Sequence, residues 1–409
     1  MKKRATAAVN QNKSWPFTSP ENSTMETREM ATRSDFAPAA PPSAAVLPQE
    51  LITQILLYLP AKSIGRFRCV SKPWNSLLSS SYFIKSHLSL HSIHSPPNLI
   101  IVSSSDDSLF TITFTPKSSS RMSREDGVSR KLKNCQGMWD SLLGSCNGLV
   151  LILDCKNCLF LMNPTTLELV KVPDFSLALD TSASFSIHGF GYDSSSDDYK
   201  IVKLSCYDKR RVVVNKGTFV DVYSLKMKTW RRIENSPCDH SYPHGMHSGV
   251  LLNGAIHWLA TDTSVEGSPD IVAAFGLSDE KFKHFGVPSC FNKRKSSAYK
   301  LAVVEGCLGM VCDVAYDTYQ YYIWIMKEYG VQESWTKLRV NLPQNAQFFE
   351  PICQFGDEEV VFLMNGAKLV LNKLMERSSR NMVVSGVRPM DYFRIMTFCE
   401  SLVSPSFRS

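Results

Sequence analysis

From Gly144 onward the sequence keeps returning to one pattern: short apolar or aromatic runs separated by Gly, Asn, Asp and Ser. Runs at 148–152, 159–162 and 168–173 form one set, and runs at 199–204, 220–225 and 229–233 a second. Sets at 249–251, 255–259, 271–275 and 282–285, and at 301–304, 308–311, 322–326 and 334–338, follow. A last set covers 360–363, 368–371 and 382–384. Each unit holds about four strands in roughly 40 to 60 residues, the scale of a propeller blade. A unit of that size cannot cover its own faces, so the copies must pack on one another, and closing them into a ring removes most exposed strand edges. The final run, 393–401, is placed to complete a blade with an early hairpin at 98–102 and 109–114. A β-sandwich with long loops is the structural alternative. The polar, basic stretch 118–133 belongs to no unit.

The beginning of the chain reads differently. Residues 1–45 are rich in Ser, Thr, Pro and Ala, with few large apolar residues to offset their ordering entropy, and are expected to be disordered. Met25 and Met30 are alternative starts, and Glu21, Glu26, Glu29 and Asp35 are too acidic for a transit peptide. From Val46 a helical grammar takes over. Pro48 suits an early helix position, where its missing N–H costs nothing. Leu51, Ile55 and Leu59 recur every four residues, Ile52 and Leu56 fill the adjacent row, and Pro60 stops the helix. A second short helix is expected over 62–68, with Ile64 and Phe67 on one side. Ser71 is a good N-cap for a third, with Pro73 in its first turn and Trp74, Leu77 and Leu78 as its apolar face. Three helices this short carry more apolar surface than they can bury among themselves. Either the excess packs on the rest of the chain, or it forms a docking surface for a partner's helices.

Bulk properties narrow the class further. The 409 residues are 44% hydrophobic and 20% charged, an ordinary globular composition with room for two or three domains. The net charge of +7 comes from scattered clusters such as Lys209-Arg210-Arg211 and Lys293-Arg294-Lys295. These read as solvated loop ends, and no nucleic-acid partner is expected. The twelve cysteines are spread along a long chain, several beside apolar residues (Cys69, Cys307, Cys312), which suits free thiols in a reducing compartment. No run approaches the roughly 18 uncharged apolar residues of a membrane span, and no secretory h-region precedes Trp15. The expectation is a cytoplasmic or nuclear protein with no membrane partner.

The run Leu47-Pro48-Gln49-Glu50-Leu51-Ile52, then Ile55-Leu56, Leu59-Pro60-Ala61-Lys62-Ser63-Ile64 and Arg66-Phe67-Arg68-Cys69-Val70-Ser71-Lys72 with Trp74, closely resembles an F-box, over 46–88. Its Phe-Arg-Cys-Val-Ser-Lys-x-Trp segment looks like the plant version. The β-region, 97–404, resembles the plant F-box-associated, kelch-like domain. The matching segments are Gly144-Ser145-Cys146-Asn147-Gly148-Leu149, Asn163-Pro164-Thr165-Thr166, Gly189-Phe190-Gly191-Tyr192-Asp193 with Asp198-Tyr199-Lys200, and Val222-Tyr223-Ser224-Leu225 before Trp230-Arg231. Gly254-Ala255-Ile256-His257-Trp258, Ile325-Met326-Lys327-Glu328-Tyr329-Gly330-Val331 with Ser334-Trp335, and Glu400-Ser401-Leu402-Val403-Ser404-Pro405 complete the set. One departure is Leu371-Asn372-Lys373, where such domains carry a Tyr-Asp pair.

The resemblance implies a small all-α F-box of three short helices followed by a large all-β domain, a propeller-like ring of four-stranded blades. It also implies a non-catalytic substrate receptor of an SCF-type ubiquitin ligase, which binds a Skp-type (ASK) adaptor and through it a cullin and RING subunit. By that analogy Leu47, Pro48, Ile52, Ile55, Leu56, Pro60, Ser63, Ile64, Phe67, Val70 and Trp74 form or support the adaptor interface. Phe67 and Trp74 are also candidates for internal packing. The target and its binding site are not implied. A ligand- or carbohydrate-binding propeller with a helical cap is the alternative, and an F-box protein acting with the adaptor outside any ligase is a third reading.

Motifs with sharper chemistry give way to plainer readings. Cys155-x-x-Cys158 has zinc spacing but no second pair, so no metal is expected. His240, His244 and His247 fall between Pro237 and Pro243 and beyond, and read as an exposed loop. His257 reads as structural, and Trp230, Trp258, Trp324 and Trp335 as inter-blade core. Gly144–Gly148 and Gly189–Gly191 lead into no helix and cradle no phosphate. Asp106-Asp107 and Asp197-Asp198 read as turns, and neither a catalytic residue nor a cofactor is expected.

Overall fold

The computed structural model describes residues 47–94, 98–103, 105, 107–114, 126–133, 137–174, 184–207, 217–240, 248–265, 269–288, 299–312, 321–343, 346–355, 359–374, 376, 378–386 and 393–406. The 1–45 extension, the basic clusters at 209–211 and 293–295, His244 and His247 lie outside them. One compact unit runs from Gln49 to the end of the chain, so the helices and the sheets belong to the same body, and Leu47 and Pro48 close the preceding unit.

Four helices come first: α1 (Gln49–Leu57), α2 (Ala61–Phe67), α3 (Lys72–Leu78) and α4 (Ser81–His94). Pro60 precedes α2 in an extended conformation, and the Ser71 hydroxyl accepts from Trp74 N–H at 3.3 Å to cap α3. The periodicity does not mark α4, whose apolar positions are interrupted by Ser and His. Tertiary contacts supply what the pattern lacks. The Ser80 hydroxyl accepts from Phe83 N–H at 3.2 Å, and Phe83 is fully buried.

The rest is a six-bladed propeller of four-stranded antiparallel blades, the first extended by a short fifth strand that pairs parallel. The first blade opens with β1 (Asn98–Ser103), β2 (Leu109–Phe114) and β3 (Gly127–Lys131). The second is β4 (Trp139–Cys146), β5 (Leu149–Asp154), β6 (Leu159–Asn163) and β7 (Glu168–Lys171). The third is β8 (Ser184–Asp193), β9 (Asp198–Tyr207), β10 (Phe219–Ser224) and β11 (Thr229–Arg232). Then come β12 (Val250–Leu252), β13 (Ala255–Thr261), β14 (Asp270–Gly276) and β15 (Phe282–Gly286), followed by β16 (Tyr299–Val304), β17 (Cys307–Cys312), β18 (Tyr321–Met326) and β19 (Trp335–Val340). The sixth blade is β20 (Phe349–Gln354), β21 (Glu359–Met364), β22 (Lys368–Lys373) and β23 (Ser378–Asn381). The chain then returns through β24 (Val384–Ser385) to β25 (Phe393–Phe398), which pairs antiparallel with β1 as the innermost strand of the first blade. The ends of the domain thus share one sheet, and the ring has no seam left to open.

Two-residue turns join β4 to β5, β12 to β13 and β16 to β17 through Asn147-Gly148, Asn253-Gly254 and Glu305-Gly306, each pair with positive φ at both residues. That geometry matches the twist of the flanking strands and selects Asn-Gly. Both faces of a blade are covered by neighbours, so strands such as β5 read as continuous apolar runs. An apolar layer fills each of the six gaps between blades; Leu143, Leu161, Phe190 and Ile201, for example, meet between the second and third.

Two expectations need correction, and one departure proves harmless. The outer strand of the sixth blade is Ser378–Asn381, not 382–384. Val384 pairs instead with Gly127 of β3, and Met382 and Val384 pack on the layer between the sixth and first blades, which is why they are apolar. The departure at Leu371-Asn372-Lys373 leaves the β21–β22 register regular, with buried Asn372 donating to the Asn341 carbonyl. His240 is not an exposed loop residue. It is buried between Trp258 and Phe282, with Nε2 2.9 Å from Ser236 Oγ.

Candidate docking site

The helices share their own apolar core. Leu56, Leu57, Ala61, Ile64, Leu78 and Phe83 are buried together, joined by Leu402 from the segment after β25. Polar contacts lock the arrangement. Arg68 donates from Nη2 to the Leu78 carbonyl at 3.0 Å, tying α2 to the end of α3. From α4, His87 and His91 donate to the carbonyls of Leu59 and Leu57 at 2.8 and 3.0 Å, satisfying acceptors that the end of α1 leaves free.

The residues singled out from the sequence divide by position. Leu56 and Ile64 are inside this core. Ile52, Phe67 and Trp74 pack against it half-buried, the last two edge to face at 5.7 Å, and Ser63 is half-buried as well. Ile55, Pro60 and Val70 face outward, and Leu47 and Pro48 of the preceding unit are exposed. Leu51, Tyr58 and Tyr82 are also more than half exposed. Leu51 belongs to the α1 row of Ile55, as the stripe already marked, and Tyr58 follows three residues after Ile55, just past the helix end, a position the stripe did not include. So the surplus apolar surface is split: one side packs inward, and the side carrying Leu51, Ile55 and Tyr58 is left uncovered.

The helices sit at one end of the propeller. Lys62 of α2 pairs with Glu400 at 2.5 Å, and Lys85 of α4 pairs with Asp197 in the β8–β9 turn at 2.6 Å. At the opposite end of β8, Ser184–His188 line a cavity of about 810 Å³ between the second and third blades, on the far face of the ring. Among the described residues no group of His, Cys, Asp or Glu is arranged to hold a metal ion, and no helix is long and apolar enough to cross a membrane. Cys155 and Cys158 are free thiols on the β5–β6 turn.

A short helical cluster with uncovered apolar side chains is fixed to one face of a closed six-bladed propeller, an arrangement suited to holding a partner protein. Comparison with known proteins agrees. The F-box domain family matches residues 46–86, and the F-box associated beta propeller domain family matches residues 100–404. F-box protein CPR1 of Arabidopsis thaliana is 29% identical over 80% of this chain and 81% of its own length. F-box/kelch-repeat protein At3g23880 of the same plant is 30% identical over 75% and 82%. Among solved structures, a DUF4784 family protein from Bacteroides caccae is 10% identical, with a TM-score of 0.38 over 74% of this chain and 73% of that one. The chain belongs to the F-box proteins that carry an F-box-associated β-propeller domain, the class of substrate-recognition subunits that bind a Skp-type adaptor in SCF complexes.

Proposed function

We propose that this chain recruits a target protein for ubiquitination, and so for proteasomal degradation, by docking its helices on a Skp-type adaptor while the propeller holds the target. The observation that carries the reading is the uncovered row of Leu51 and Ile55 on α1 and Tyr58 just after it, beside a helical core that is already filled. Apolar anchors of this kind dominate binding energy when a partner's pocket desolvates them. Val70, Pro60 and the half-buried Ile52, Phe67 and Trp74 extend the contact or brace it, Leu56, Ile64 and Ser63 support it from within, and Leu47 and Pro48 are assigned to it by their resemblance. The chain supplies no chemistry of its own; it raises the effective concentration of a target lysine near a charged ubiquitin-conjugating enzyme.

The test is co-expression with a plant Skp-type adaptor, followed by size-exclusion chromatography. Wild type should elute as a one-to-one complex, and Leu51→Asp with Ile55→Asp should release the adaptor while the thermal melt stays intact. A folded wild-type chain that elutes apart from the adaptor would refute the reading. Adding cullin and RING subunits then separates a ligase receptor from an adaptor partner outside the ligase.

A further inference from the structure

The cavity on the face away from the helices breaks the rule that the rest of the ring obeys. Along β8 and β9, the side turned to the second blade carries Phe190 and Ile201 in the apolar inter-blade layer. Two residues further from the helices, the same side carries His188 and Lys203, which are direct partners in the β8–β9 ladder. Both line the cavity, with Leu143, Leu159 and Trp230 as apolar wall. His188 is only 6% exposed, yet among the described residues its imidazole has no hydrogen-bond partner, and Lys203 has neither a hydrogen bond nor an ion pair from its side chain. Asp221, opposite Lys203 on β10, and Asp174 attract it from a distance, but the direct bonds of Asp221 go to Arg232, whose Nε reaches one oxygen at 2.8 Å and Nη2 the other at 3.1 Å.

A half-buried lysine that no carboxylate touches is costly, and groups desolvated in this way cluster where a ligand supplies the missing partner. Burial lowers the Lys203 pKa, and burial with Lys203 nearby holds His188 down to about 3, so the imidazole is neutral and offers one N–H donor. The pair therefore presents a single positive charge and a second donor to the cavity, beside its apolar wall. Three carboxylates also line it: Asp140, Asp154 and Asp174. Asp174 is paired with Lys171 at 2.9 Å, and Asp154 accepts from the backbone N–H groups of Lys156 and Cys158. That surround disfavours a dianion and suits a monoanion.

We propose that this cavity is the target-recognition pocket, and that it takes a carboxylate of the target polypeptide, held by Lys203 Nζ and the His188 imidazole beside an apolar side chain against Trp230. The proposal rests on the receptor reading for the word target, but the pocket's preference for a carboxylate stands or falls separately. An acidic side chain and a free chain terminus offer the same group, so the probes must tell them apart.

The test uses the full chain in its adaptor complex and three pools of short randomised peptides. One has a central Asp or Glu and an amidated end, one has Asn or Gln there and an amidated end, and one has Asn or Gln there and a free C-terminal carboxylate. Wild type should retain one or both carboxylate pools about tenfold over the neutral pool, the equilibrium equivalent of one charge-assisted hydrogen bond. Lys203→Met should lose that preference, Lys203→Arg should keep most of it, and Lys203→Met should melt at or above the wild-type temperature because a desolvated cation with no direct partner is gone. Equal retention of all pools, retention of none, a preference that survives Lys203→Met, or a melting temperature lowered by Lys203→Met would each overturn the assignment. If the adaptor does not co-purify, the receptor reading fails, and the same pools measured on the chain alone still decide the pocket.

Discussion

Asn163, at the end of β6, donates its side-chain amide to the main-chain oxygen of Val403 at 2.8 Å, across 240 residues of sequence. The same nitrogen reaches the Ser401 carbonyl at 3.1 Å, while Asn163 Oδ1 accepts from Thr165 N–H at 2.8 Å. Between the two carbonyls, Leu402 enters the core of the helices. Gly148 makes room for this segment: a Cβ there would stand 2.7 Å from the Cys399 carbonyl and collide with the Ser401 side chain. A strap after the last strand is thus pinned to the second blade on one side and buried in the docking helices on the other.

Replacing Asn163 with Ala strips that strap of its buried donor. The expected cost is about 2–4 kcal/mol, from two carbonyls left without a partner. Urea denaturation measures it, and limited proteolysis should show α1 to α4 becoming the first cleaved segment. Leu402→Ala should cost a similar amount, about 2–5 kcal/mol, by opening a cavity in the helical core.

The ion pairs across the same junction should contribute far less. Lys62–Glu400 and Lys85–Asp197 lie at 2.5 and 2.6 Å, but both lysines are about half exposed. Solvent-exposed pairs are worth about 0.2–1 kcal/mol. Lys62→Ala with Lys85→Ala should therefore shift the urea midpoint little at moderate salt. A loss as large as that of Leu402→Ala would mean that charge, not the buried strap, holds the helices to the ring.

How much of this was legible in the sequence follows from which signals are periodic. The three short helices and the blades stand out because apolar spacing repeats, and the final run 393–401 is legible as a partner for the first hairpin. α4 escaped because its stripe is broken by serines and histidines, and its stability comes from Phe83, His87 and His91 meeting other helices. The division of the helical surface into inner and outer sides is invisible to periodicity when both sides are apolar, as with buried Leu56 beside exposed Ile55. His240 was misread because its prolines signal a loop, whereas burial is decided by the Trp258 and Phe282 rings it meets. The cavity left one trace, a lysine at 203 sharing strand parity with Ile201.

A buried ion network between the third and fourth blades should be among the least forgiving sites. Lys200 Nζ donates to Asp193 Oδ2 at 2.8 Å, the Leu277 carbonyl at 2.7 Å and Glu280 Oε1 at 2.9 Å, and Glu280 also receives Arg231. Burial alone would raise the Asp193 pKa, but Lys200 and the Ser195 and Ser196 hydroxyls outweigh it and hold the carboxyl well below its usual range. Lys200→Ala leaves buried Asp193 without its cation and Glu280 with Arg231 alone, at a cost of about 3–5 kcal/mol. Lys200→Ala with Asp193→Ala should recover part of that loss, which a double-mutant cycle by urea denaturation would read.

Acid should weaken the fold well before the carboxylates titrate. Burial holds His240 at about 4 and His188 at about 3, and lowers His87 and His257 in the same direction. In the unfolded chain these rings protonate near 6.5. Between pH 6.5 and 4 the unfolded state therefore binds more protons than the folded one, and stability falls as pH falls, by up to about 1.4 kcal/mol per pH unit for each buried ring. Above 6.5 this contribution is complete and flat. The lowered carboxyls Asp193, Asp197, Asp262 and Glu280 add their own loss at lower pH, as they are protonated. Melting temperatures from pH 8 to 5 should stay level and then decline from about 6.5. His240→Asn keeps a polar group beside Ser236 Oγ but cannot titrate, so it should make the decline shallower even if it lowers the plateau. An unchanged slope in that variant would move the acid sensitivity to the other buried rings.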